Sequence, residues 1–109
     1  MKEKTTPQEV SLKLRVGHLL RISSYLEVAV GSMWAELRPK IAMGMAEASV
    51  RGTGPGGENG PDEEFLARLR DLVREAREYY AADDFPAAMA RMLVAEDLVA
   101  LRIIYLVGE

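Results

Sequence analysis

The sequence has no cysteine, which excludes disulfides, thiolate nucleophiles and Cys-based zinc sites together. His18 is its one histidine, and Gln8 and Asn59 are its only side-chain amides. Lysine is scarce as well, at 4 residues against 10 arginines. So few thermolabile residues fit a thermophile, and a GC-rich genome would favour arginine in the same way. Met1-Lys2-Glu3-Lys4 is followed by no apolar signal-peptide core. The most apolar stretch, Met89 to Val107, carries Arg91, Glu96, Asp97 and Arg102, whereas a membrane span needs about 20 residues almost free of charge. The expectation is therefore a cytoplasmic protein without membrane contact. The net charge of −3 is unevenly spread: 8 basic and 5 acidic residues through Arg51 give +3, and 6 basic and 12 acidic residues from Gly52 onward give −6. Neither half has the basic excess of a nucleic-acid-binding domain.

What remains is a chain of 109 residues, 49% hydrophobic, the size of one domain. Thr6, Pro7 and Glu9 make an N-terminal helix signal of capping box and first-turn proline. Leu12, Val16, Leu19, Ser23, Leu26, Val30, Met33 and Leu37 then recur in steps of four and three, a heptad seam. A second apolar line, Leu14, Ile22, Tyr25 and Ala29, runs beside it, so this helix, residues 7–38, is covered on more than one side. Arg38-Pro39 interrupts it, because proline disfavours helical geometry in the residue before it. Residues 40–50 read either as a bent continuation or as a short fourth helix.

Residues 51–60 have glycine at half of their positions and read as a flexible linker. A phosphate-cradling loop is excluded there by the absence of a Gly-Lys-Ser/Thr ending and of a preceding strand. Pro61-Asp62-Glu63-Glu64 opens a helix over 61–82 with three acids near the positive end of its dipole. Phe65, Leu66, Leu69, Leu72, Val73, Ala76, Tyr79 and Tyr80 form its apolar stripe, and charged residues fill the opposite face. Ala81-Ala82-Asp83-Asp84 is a short turn, and the helix over 84–107 is apolar nearly all round. No strand pattern appears. The sequence thus predicts a single all-α domain, an antiparallel bundle of three main helices with a short fourth left open and a Gly-rich loop.

The segment Tyr79-Tyr80-Ala81-Ala82-Asp83-Asp84-Phe85-Pro86-Ala87-Ala88, followed by Met92-Leu93-Val94-Ala95, resembles the helical hairpin of a small archaeal family catalogued as domain of unknown function 357. The resemblance covers the last third of the chain. Where that family carries an Asp-Ala-Gly-like element, this chain reads Val99-Ala100-Leu101-Arg102. The resemblance implies an antiparallel helical bundle and no activity. No 34-residue period of tetratricopeptide repeats is present, and the Arg/His signature of the HEPN ribonucleases is missing.

Candidate chemistry is sparse. His18 lies on the second apolar line, one turn from Leu14 and Ile22, with no Ser or metal-ligand companion, and reads as a packed residue. No Glu-x-x-His motif supports a di-iron bundle. Glu75, Glu78, Glu96 and Asp97 are the carboxylates that could converge on Mg²⁺, but they sit on divergent faces. Arg68, Arg70, Arg74 and Arg77 interleave with acids as on a solvated, salt-bridged face, with no aromatic residues between them to stack bases. No catalytic residue, cofactor or metal ligand is therefore expected. The surplus of apolar surface on the first and last helices points to a homo-oligomeric structural or interaction module, a dimer first of all. Its expected interface is Leu26, Val30, Met33, Trp34, Leu37, Ile103, Ile104 and Leu106. An accessory subunit of a nucleic-acid-processing complex and a metal-dependent helical enzyme are the alternatives.

Overall fold

The structure, a computed structural model, describes residues 7–108, with side chains from Leu12 onward. Residues Met1 to Thr6 and the side chain of Glu9, which carry the expected capping box, lie outside the described parts. Four helices follow in order: α1 Pro7–Ala35, α2 Pro39–Ser49, α3 Glu63–Ala81 and α4 Phe85–Gly108. No strand occurs among the described residues.

α1 ends three residues before the expected boundary. Glu36 (φ 56°) takes the left-handed conformation that terminates helices, and Arg38 (φ 50°) takes it again directly before Pro39. Pro39 then opens α2 with its fixed φ and missing N–H. Residues 40–50 are thus part of a separate helix, not a bend in the first one, and the bundle has four helices.

α1 packs closely against α2 and α4, and α3 against α4 and α2, while the diagonal pairs bring no backbone close together. The helices therefore stand at the corners of a square in chain order. At 11 residues, α2 spans about 16 Å, against about 43 Å for the 29 residues of α1. The segment after α2 runs beside α1 and α3 beyond its end, since Gly54 approaches both His18 and Leu66. Arg70 donates to the carbonyls of Val50 (3.0 Å) and Gly52 (2.7 Å), supplying the cation that the last turn of α2 lacks. Gly57 N–H bonds to Gly54 O and Gly60 N–H to Gly57 O, each at 3.0 Å. Gly54 has φ +85°, and a Cβ there would stand 3.0 Å from Leu66, so this glycine provides close approach as well as freedom.

The core joins Leu19, Ile22, Leu26 and Met33 of α1 to Met43 and Val50, to Leu66, Leu69 and Val73 of α3, and to Met92 and Val99 of α4. Both apolar lines of α1 contribute to it, because α1 has a neighbour on each side. α3 buries the expected stripe and turns its charged residues outward.

Candidate functional site

The expected interface divides in two. Leu26, Met33 and Leu106 are buried within one chain, and Val30 and Ile103 pack against the same core. Leu26, Met33 and Leu106 are enclosed by their own chain, whereas Val30 and Ile103 are half-buried. α1 turns much of its heptad line toward α2 and α4. Trp34, Leu37 and Ile104 are exposed, Leu37 (69%) and Trp34 (66%) more than any other large apolar residue described.

These three belong to a larger pattern. The exposed large apolar residues on α1 are Leu12, Leu14, Leu20, Tyr25, Val28 and Trp34, followed in the turn by Leu37. α2 adds Ile41 and Met45. α4 adds Leu93, Val94, Leu101, Ile104, Tyr105 and Val107. Among the described residues, α3 contributes none. Helical spacing explains the rows on α4: Leu93, Val94, Leu101, Ile104 and Tyr105 recur at steps that keep them on the face away from Met92, Ala95, Val99 and Leu106. Among the described residues, the exposed large apolar side chains thus fall on α1, the turn after it, α2 and α4, and the outer face of α3 is charged.

No protein-family model matches this chain, and no curated protein and no solved structure is significantly similar to it.

The arginines of α3 are engaged within the fold. Arg70 holds the loop; Arg74 bonds Asp71 at 2.7 Å and lies 3.8 Å from Glu78; Arg77 pairs with Glu47. Arg68 stays exposed. The four carboxylates considered for Mg²⁺ do not converge. Glu75 bonds Arg91 at 3.1 Å, Glu78 faces Arg74, and Glu96 lies near Glu27 and Asp97. Burial, then the Glu27 and Asp97 charges, push the Glu96 carboxyl above its usual range. Among the described residues, no helix is long and apolar enough to cross a membrane.

One buried charged centre was not anticipated. Asp62 precedes α3 at its N-cap position, yet its side chain makes no cap bond and is 1% exposed. Arg15 of α1 grips it bidentately, Nε to Oδ2 at 2.9 Å and Nη2 to Oδ1 at 3.0 Å. Arg102 of α4 donates from Nη2 to Oδ1 at 3.1 Å and to the Pro61 carbonyl at 2.8 Å, while its guanidinium stacks 5.0 Å from the centre of the Phe65 ring. Burial alone would raise the Asp62 pKa, but the hydrogen bonds and charges of Arg15 and Arg102 outweigh it and hold the carboxyl below its usual range. The sequence does hold a signal for this centre. Arg15 stands in line with Leu19 and Ile22, and Arg102 between Val99 and Leu106, so each core stripe carries one arginine that needs an acid. His18 lies nearby, its Nδ1 buried and without a hydrogen-bond partner. Burial, followed by the charge of Arg21, lowers its pKa against the opposing pull of Asp62.

Proposed function

We propose that this chain is a homo-oligomeric helical interaction module whose copies pair through the outer side of α1 and the flanking apolar rows of α2 and α4. The observation that carries the reading is that fifteen large apolar side chains on α1, the turn after it, α2 and α4 are exposed among the described residues, with none on α3. Each such side chain left in water forgoes about 1.5–3 kcal/mol of burial, and exposed apolar surface in such amount marks an interaction surface. A twofold pairing covers it most economically, since one patch serves both subunits. The likeness of the α3–α4 hairpin to domain of unknown function 357 agrees with a helical bundle and adds no activity.

The test is mass in solution across dilution, by analytical ultracentrifugation. A dimer of about 24 kDa, twice 12.1 kDa, is expected for the wild type at micromolar concentration. Leu20→Glu combined with Ile104→Glu should give a helical monomer, because both positions are exposed and neither supports the core. Wild type that remains a folded monomer at high micromolar concentration refutes the pairing.

A further inference from the structure

We infer that the end of the bundle where α1 turns into α2 and α3 turns into α4 is a binding site for an alkylammonium group. A hollow opens there, lined by Glu36, Lys40, Tyr80, Ala81, Asp83 and Phe85. Two of its walls are aromatic, and Trp34 extends them by meeting Phe85 edge to face at 5.4 Å between ring centres. Aromatic rings with carboxylates at their rim attract organic cations, the ring faces through their quadrupole and the carboxylates through charge. Glu36 and Asp83 supply the charge. Among the described residues neither forms an ion pair, in contrast to Glu47, Glu75 and Asp62. An anionic ligand would meet both of them unfavourably.

Glu36 (φ 56°) and Asp83 (φ 63°) are both in the left-handed conformation just past the ends of α1 and α3. Glycine suits that position best, and Asp tolerates it better than Glu does. Arg38 (φ 50°) shares the α1–α2 turn in the same conformation, so it is the side chains of Glu36 and Asp83 at the rim of the hollow, and not their backbone, that favour a cation. Lys40 is the one cation at the rim and is likewise unpaired among the described residues. It competes with an external ammonium group without being fixed there. The walls of this site come from a single chain; Trp34 also lies on the apolar side of α1, so the titration is run at one fixed protein concentration and repeated on the Leu20→Glu/Ile104→Glu variant, in which self-pairing contributes no signal.

Trp34 is the only tryptophan and touches the aromatic wall, so its fluorescence reports occupancy directly. The full chain is titrated with tetramethylammonium chloride, against sodium chloride at matched ionic strength, and with a peptide carrying trimethyl-lysine, against the same peptide carrying acetyl-lysine. Saturable change with tetramethylammonium and none with sodium is expected. A tighter response to the trimethyl-lysine peptide assigns the group to a protein partner; equal or weaker binding assigns it to a free amine. Phe85→Leu should weaken binding at least about tenfold, and Lys40→Met should strengthen it. Glu36→Gly with Asp83→Gly should abolish binding while matching or exceeding the wild-type melting temperature, which separates loss of the site from loss of the fold. A response that matches sodium chloride throughout, or one that survives unchanged in the double glycine variant, overturns the site.

Discussion

Asp62 is the residue on which most depends. Removing its charge leaves two arginines, largely desolvated, facing each other without an acid, and breaking a buried ion pair costs about 3–5 kcal/mol. Asp62→Asn should therefore lower stability by about that amount in denaturant titration. Replacing the whole triad, Arg15→Met with Asp62→Leu and Arg102→Met, should recover much of it, because apolar residues of similar volume avoid the desolvation cost. The pH dependence has a definite sign. The Asp62 pKa is depressed in the folded state, so its stabilisation is complete above the unfolded carboxyl value, about 3.9, and is lost as pH falls through the lower folded value. His18 acts earlier on the same acid side. Its folded pKa also lies below the ordinary histidine value, so below about pH 6.5 the unfolded chain takes up the proton first and stability declines. Melting curves from pH 7 to pH 5 should fall for the wild type and flatten for His18→Asn.

Among the elements, α3 was the most legible in the sequence, and for a physical reason. It has one buried stripe and one wet face, so pattern and environment agree at every position from Leu66 to Ala76. α1 and α4 were legible as helices but not in what their faces do. A helix with two neighbours needs two apolar lines, and the sequence does not distinguish a line spent on a neighbour from one left for a partner. That is why Leu26 and Met33 looked available. The contacts of the loop were hidden because hydrogen bonds from Arg70 and close packing at Gly54 depend on residues remote in the sequence. Arg70→Ala should expose this segment to trypsin at Arg51 without unfolding α3, as limited proteolysis would show. On the α1–α4 boundary, Glu96 carries a raised pKa beside Glu27 and Asp97. Its ionised form is disfavoured in the fold, so Glu96→Gln should raise the melting temperature at pH 7. The gain should vanish near pH 4, where the wild-type carboxyl is largely protonated.

Across the whole molecule, two helical hairpins of mostly local contacts, α1–α2 and α3–α4, are joined along the α1–α4 boundary and by contacts between α2 and α3. Arg15 ties Asp62 across that junction, while Arg102 ties it within the α3–α4 hairpin. Its partners lie 47 residues away at Arg15 and 40 residues away at Arg102, so neither tie can close before distant parts of the chain meet. Local contacts form quickly and long loops close late. Arg102 can meet the carboxylate within the α3–α4 hairpin, whereas Arg15 reaches it only when the two hairpins dock. In stopped-flow measurements, Arg15→Met should therefore leave the folding limb of the chevron almost unchanged and place most of its effect on the unfolding limb. The Arg15–Asp62 pair then governs how long the native state lasts far more than how fast it is reached.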